Sequence, residues 1–397
     1  MTAEQQPHKG QTERSASAGP LAAAGVFTPP ARGLGYWELV WLRFQRHRPA
    51  FVSLWILVGL YLVCVVFAEF FAPYSVTTYS SQNIAAPPQR PRLIDEAGTW
   101  HGQLFVYGLT SEVNQSTGKR THTVNTAEII KLCFVCRGES YKLWGLIEMD
   151  WHLFVPIDGY AYILGGDRLG RDLLSRIIFG GRVSLTVSLA GLAISMTLGV
   201  FLGTVSGYYG GTVDVVIQRA TEILLSFPAI PLWLTLSAAL PVNWTSIEVY
   251  FAITTLLGLI NWAWLARQIR GQVLALREQS IIQASLALGA SHLHIILRHL
   301  IPNLTSHVIV IGTLTIPWMI LSETALSFLG LGIRPPLTSW GVLLEEAQNV
   351  QALRNTPWLV FPALAVILTV MAFNFLGDGL RDATEPRPYT MVETSEQ

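Results

Sequence analysis

Six apolar runs, each close to the thickness of a lipid bilayer, constrain this chain more than anything else in it. About 20 predominantly apolar residues are needed to cross the hydrocarbon core. Phe51–Phe71, Val183–Ser206, Ile223–Leu240, Ile247–Ala266, His307–Leu329 and Pro357–Gly377 each meet that length, and the first carries a single charge, Glu69, near its end. Backbone polar groups find no water in hydrocarbon, so segments of this length must be helices. Charged residues make up 13% of the chain and mean hydropathy is +0.42, against about 25% charged in soluble domains. Gly191, Gly199 and Gly203 in the second run suit close helix packing. Pro228 and Pro231 predict a kink in the third. The expected fold class is an all-α membrane protein with six transmembrane helices.

Basic residues set an orientation. Arg43, Arg46 and Arg48 precede the first run, Arg267, Arg270, Arg277 and Arg298 lie between the fourth and fifth, and Arg381 and Arg387 follow the sixth. The positive-inside rule then places both termini and the loop between spans four and five in the cytoplasm. The polar tail up to about Phe27 has no apolar core and reads as a disordered cytoplasmic segment rather than a signal peptide. Residues 72–156 form a large polar insert between spans one and two, Pro-rich at Pro87, Pro88 and Pro91 and strand-like at Gln103–Tyr107. It reads as an extracytoplasmic domain of β or irregular structure, a docking or gating element at the outer mouth. The expected organisation is therefore an entry segment (1–50), span one (51–71), the insert (72–156), an outer segment (157–182), a core (183–388) with a cytoplasmic loop at 270–303, and a tail (389–397).

Several functions are excluded. Net charge is zero, which leaves no electrostatic footprint for nucleic acid. The four lysines, Lys9, Lys119, Lys131 and Lys142, are not followed by Ser or Thr, so the chain has no phosphate loop for ATP. Neither H-E-x-x-H nor G-x-S-x-G occurs, and no catalytic residue is assigned.

The loop between spans four and five is too structured to be a mere connection. Ala-rich turns on either side of Gly289 predict two short helices with a bend between them. Pro302 is expected to end the second. This segment, Gln283-Ala284-Ser285 with Gly289, Leu293 and the closing Leu300-Ile301-Pro302, resembles the cytoplasmic coupling motif of ABC-importer permeases. Four further blocks are similar to the dipeptide/oligopeptide/nickel branch of that family, in its second, C-type permease subunit. They are Gly166-Asp167-Arg168-Leu169-Gly170-Arg171-Asp172 with Leu174-Ser175-Arg176; Gly207-Tyr208-Tyr209-Gly210-Gly211 with Asp214 and Arg219, read as a first inner loop; Leu326–Gly332 with Pro335-Pro336 and Ser339-Trp340-Gly341; and Asp378–Asp382 with Pro386-Arg387. Together they cover about residues 33–72 and 160–388, leaving the insert out.

The resemblance implies a type I permease fold in a bacterial inner membrane, with Gln283, Ala284, Ser285, Gly289, Leu293 and Pro302 docking an ATPase. Asp167, Gly170, Arg171 and Asp172 match the outer signature. It also implies a homologous second permease, two ATPase subunits that carry ATP and Mg, a solute-binding protein and short peptides as cargo. Nickel chelates and oligosaccharides are alternative cargoes. This chain itself would bind no cofactor. Gly166 stands where the family has Thr, Glu222 where it has Asp, and Gln283 where it has Glu.

Other residues have plainer readings. His292, His294, His299 and His307 read as solvent- or partner-facing, because residues two or five apart do not share a face of an α-helix. Cys133 and Cys136 offer two ligands where structural zinc takes four, and read as a disulfide or packed thiols in a buried strand, Leu132–Val135. Glu222 and Glu323 lie near span ends, where water should reach them. A stand-alone secondary transporter would show mid-span polar residues and an internal repeat, and a membrane-anchored enzyme would need a catalytic set in the insert; neither pattern is seen.

Overall fold

The computed structural model describes residues 35–113, 115 and 120–384. The expected N-terminal tail to Phe27, the 389–397 tail and Pro386-Arg387 lie outside the described residues. After α1 (Tyr36–Arg46), span one is α2 (Arg48–Tyr61) extended by a π-turn (Leu62–Val66), broken at Phe67 and closed by α3 (Ala68–Phe71). Four antiparallel strands follow: β1 (Arg92–Ile94), β2 (Trp100–Val113), β3 (Arg120–Leu143) and β4 (Ile147–Pro156). The remainder is helical: α4 (Leu173–Tyr209), α5 (Gly211–Ser226), α6 (Ala229–Ala238), α7 (Ser246–Arg277), α8 (Ser280–Ala287), α9 (His292–Ile295), α10 (Ile301–Phe328), α11 (Trp340–Glu345), α12 (Val350–Asn355) and α13 (Phe361–Thr384). Among the described residues, five helical runs are long and apolar enough to cross a membrane, or six if α5 and α6 form one span.

The α4/α7 pair is the structural centre, and small residues permit it. A Cβ at Gly203 would lie 2.5 Å from the Ala266 carbonyl oxygen, and one at Gly199 2.7 Å from the Leu265 side chain. Without those side chains the two backbones approach closely, as in small-xxx-small membrane packing. The third span departs from expectation. The bend is 84° and separates two helices, the first beginning at Gly211 rather than Ile223. Phe227 takes extended angles (φ −85°, ψ 135°) before Pro228, because a residue preceding proline is pushed out of the helical region. Asp214 and Arg219, expected in an inner loop, therefore lie on α5, and only Gly210 separates α5 from α4.

The strand reading of the insert holds. β3 pairs with β2 along its first half and with β4 along its second, changing partner at Lys131/Leu132. Leu132 is buried, but Phe134 and Val135 are exposed, so this stretch is a strand without being a buried one. Cys133 and Cys136 are joined by a disulfide. The insert is also shorter than expected. Residues 74–89 are woven into the outer signature: Tyr74 N donates to Ser175 Oγ (3.2 Å), Ser80 N to the Gly170 carbonyl (2.9 Å) and Ala85 N to the Asp167 carbonyl (2.9 Å). The added unit is the sheet itself, from β1 onward.

Candidate functional site

The segment from α8 into α10 is built as a two-faced strip. α8 ends in a Schellman motif: Gly289 N donates to the Leu286 carbonyl and Ala290 N to the Ser285 carbonyl, with Gly289 at φ +83°, as this cap requires. Ser291 then caps α9 through Oγ, which accepts from His294 N (3.3 Å). Ile282, Ile295, Leu300 and Leu304 face inward, packed with Tyr208, Ile269 and Val273. Gln283, Ala284, Gly289, Leu293 and Pro302 lie on the exposed face, with Ser285 partly covered. Leu288 and Leu297 add apolar surface to that face.

The geometry explains the bend at Gly289 and corrects two readings of this segment. A Cβ at Gly289 would meet nothing within 4 Å. The glycine is needed for its backbone angle, and not for close approach of the two short helices. Pro302 does not end a helix; it sits in the first turn of α10. A π-turn at Ile296–Leu300 precedes it, with Ile301 N reaching back to the Ile296 carbonyl. This wider turn carries the helix from α9 into α10, and proline is tolerated in a first turn. The same π-turn brings His294 and His299 onto one side, ring centroids 5.9 Å apart. Among the described residues no group of three His, Cys, Asp or Glu is placed to hold a metal ion.

Bonds that single residues do not advertise tie the strip to the spans. Gln283 Nε2 donates to the Arg277 carbonyl (3.0 Å). Arg277 Nη1 donates to the carbonyls of Gly207 and Tyr208, at 3.4 and 3.3 Å. Tyr208 Oη and His292 Nδ1 are 2.8 Å apart, so His292, although exposed, has a partner within the chain. Arg270 binds Asp214 with two 2.6 Å contacts, joining α7 to α5. In the sequence Arg270 and Arg277 were visible only as orienting charges, and Tyr208 only as part of a family block.

At the other end of α4 the outer signature closes into a buried ionic cluster. Asp167 is fully buried; Oδ1 accepts from Leu169 N and Arg171 N, and Oδ2 from Arg171 Nε (2.6 Å) and Arg176 Nη1 (2.5 Å). Arg176 Nη1 also donates to Glu346 Oε1 (2.6 Å). Gly170 has φ +77°, and a Cβ there would run into the Ser80 carbonyl. Asp172 caps α4, Oδ2 accepting from Ser175 N and Oγ at 2.7 Å each. Its Oδ1 is buried without a partner, and burial pushes the carboxyl up to about 6. Glu346 is the member that motif matching did not single out.

Glu323 is not reached by water. It is fully buried on α10, accepting from Ser184 Oγ (2.8 Å) and Ser327 Oγ (2.7 Å). Ser184 Oγ in turn accepts from Trp340 N (3.2 Å), so the carboxyl ties α4, α10 and α11 together. Glu222 is exposed and pairs with Arg219 at 2.8 Å.

Residues 199–388 match the family described as binding-protein-dependent transport system inner membrane component, and residues 35–88 match the N-terminal transmembrane domain of oligopeptide transport permease C. The second match runs through residues 73–88, which the sequence had assigned to the insert. The oligopeptide transport system permease protein OppC of Haemophilus influenzae is 41% identical over 244 residues, 60% of this chain and 76% of that protein. The dipeptide transport system permease protein DppC of Lactococcus lactis subsp. cremoris is 31% identical over 357 residues, 89% of this chain and 91% of that protein. The glutathione transport system permease protein GsiD of Pectobacterium atrosepticum is 38% identical over 228 residues, covering 57% and 73%. With its membrane helices and these likenesses, the chain belongs to the inner-membrane permease components of binding-protein-dependent transport systems, in the oligopeptide permease C branch.

Proposed function

We propose that this chain is one of two homologous permease subunits of an ATP-driven importer of short peptides. Its relatives are named for oligopeptides, dipeptides and glutathione, and short peptides are the chemistry those names share. In this reading the chain carries no catalytic residue and no cofactor. ATP and Mg are held by two ATPase subunits, one of them seated on the exposed face of α8 and α9. The observation that carries the reading is that strip: one face buried on α4 and α7, the other presenting Ala284, Leu288, Leu293 and Leu297. Both termini and the strip face the cytoplasm by the positive-inside rule, which places the β-sheet outside, with the solute-binding protein and the second permease. Closure of the ATPases would push the strip. Rigid-body rocking of the helices would follow, transmitted through His292–Tyr208, Arg277 and Arg270–Asp214.

Co-purification of the tagged chain with its ATPases tests this. Leu293→Asp places a charge on the exposed face while leaving the buried one intact. Retained membrane insertion with loss of the ATPase subunits is the expected result. Wild-type recovery of the ATPases with Leu293→Asp would refute the docking assignment, and peptide-independent uptake by the purified chain alone would refute the importer reading.

A further inference from the structure

The tip of the β3–β4 hairpin reads Leu143-Trp144-Gly145-Leu146-Ile147, five residues without a charge. Lys142 and Glu148 flank it and pair across the hairpin at 3.1 Å. The charge boundary is therefore one rung from the turn. Within the tip Leu146 is 85% exposed, and Trp144 and Ile147 are each 59% exposed. Trp144 and Gly145 have successive positive φ values, 56° and 73°. Asn or Asp ahead of Gly takes such a turn readily, whereas a bulky residue at positive φ is an outlier. Turn chemistry alone gives no reason for a tryptophan here.

The depth of this tip is fixed by a bond. Trp144 Nε1 donates to the Val66 carbonyl at 3.0 Å, and Val66 is the last residue of the first candidate span. That carbonyl is left over by the break at Phe67, where Phe70 N bonds to Phe67 instead. Arg182 lies over the Trp144 ring at 5.8 Å and pairs with Glu69 through two short contacts, 2.6 and 2.5 Å, so a polar belt occupies the same level. The exposed side chains of Leu62 and Phe67 continue the apolar surface of span one toward the tip. Tryptophan with its N–H satisfied and its ring half-exposed beside an Arg–Glu pair is the chemistry of a membrane–water boundary.

We propose that this hairpin tip inserts into the bilayer interface beside the end of span one and anchors the β-sheet to the lipid surface. The occupant is lipid because the exposed residues stand at the end of a membrane helix and continue its apolar surface. A water-soluble binding protein would meet the charged flanks higher on the sheet first. The proposal rests on span one crossing the membrane and not on the cargo or the ATPases.

The test uses the full transporter, assembled with its partner subunits, in vesicles of phosphatidylethanolamine and phosphatidylglycerol. Leu146→Cys is labelled with an environment-sensitive nitrobenzoxadiazole dye; Cys64 is buried and Cys133 and Cys136 are paired, so the new thiol takes the label. Val124→Cys, exposed in the part of β3 that pairs with β2, is the control. Blue-shifted emission, with quenching by a shallow nitroxide lipid several-fold stronger than at Val124, is the expected result. Three results would each overturn the proposal: iodide quenching equal to the control, a spectral change only on adding the solute-binding protein, or cross-linking of the tip to the second permease. If Leu146→Cys fails to assemble, Ile147→Cys carries the same readings.

Discussion

The two ends of α4 are held in opposite ways. At its N-terminal end Asp167, Asp172 and Arg176 are buried, and Arg176 joins Asp167 and Glu346 through contacts of 2.5 and 2.6 Å. At its C-terminal end the Arg270–Asp214 pair, which Ser206 of α4 joins, is partly exposed. There Tyr208, Arg277 and His292 share three longer bonds of 2.8–3.4 Å at least partly open to water. A buried pair costs much to break because the surviving charge is stranded in low dielectric, whereas a single solvent-accessible hydrogen bond contributes about 0.5–1.5 kcal/mol. One end of the helix is therefore clamped. The other is held by bonds that water can reach.

The contrast breaks most directly at Arg176. Arg176→Ala leaves Arg171 as the cation that Asp167 and Glu346 share, at 2.6 and 3.5 Å. The cost is therefore at most that of breaking a buried pair, about 3–5 kcal/mol. Thermal unfolding of the purified chain should show a large drop in midpoint and in yield. A wild-type midpoint would mean that the cluster is wet and the clamp does not exist.

Asp172 sharpens the same end through pH. Its folded carboxyl is pushed up to about 6 from an ordinary 3.8 by burial. The folded state thus binds its proton more tightly than the unfolded chain. The stability this supplies is fully present below about pH 4 and is lost as pH rises through about 6. At 1.36 kcal/mol per unit, the loss is at most about 3 kcal/mol. Asp172→Asn keeps a good helix cap without a titrating group. Its melting point should match wild type near pH 4 and exceed it near pH 7. Parallel pH profiles for the two proteins would show that Asp172 is ionised throughout.

At the other end, Gly289→Ala has a smaller expected effect. The added methyl meets no neighbour, so the penalty is that of an L-residue in the left-handed region, about 1–2 kcal/mol. It falls on the α8–α9 bend rather than on the whole fold. Uptake should fall with ATPase docking weakened, while the melting point of the spans stays within error. A lowered global midpoint would mean that the strip is clamped like the outer end.

What was readable in the sequence follows from which interactions are local. The bend at Gly289 was readable because its cause lies within one turn; the capping by Ser291 and Asp172 is just as local but was not read from the sequence. Gly199 and Gly203 were readable as packing residues because their period matches a helix face. Pro302 was misread because an α-helical register was assumed across Ile296–Leu300. One π-turn shifts the pairing by a residue, which also brings His294 beside His299. Glu323 was placed in water by its distance from a span end, but one of its two enclosing serines, Ser184, comes from α4, far away in the chain. The start of the third helical run was set too late because α5 carries Asp214, Arg219 and Glu222, and a hydropathy window penalises charges even when all three are paired within or beside the helix. The insert boundary was set too early because residues 73–88 are polar, although their backbone is hydrogen-bonded to the outer signature.

The smallest expected effect separates the two ends most finely. Tyr208→Phe removes one hydroxyl from the α4 end and leaves the ring, which stacks edge-on against Tyr209 and His292. The lost bond to His292 Nδ1 should cost about 0.5–1.5 kcal/mol, and because His292 is exposed, water can replace the hydroxyl. Global stability should hardly change. If the bond carries motion from the strip into α4, however, ATP hydrolysis by the assembled transporter should persist while peptide uptake per ATP falls. That split is the reading to measure, in vesicles, with hydrolysis and uptake followed in the same preparation. Equal losses of both would make Tyr208 a packing residue. No change in either would leave Arg277, through its bonds to the Gly207 and Tyr208 carbonyls, as the link between the strip and the helix.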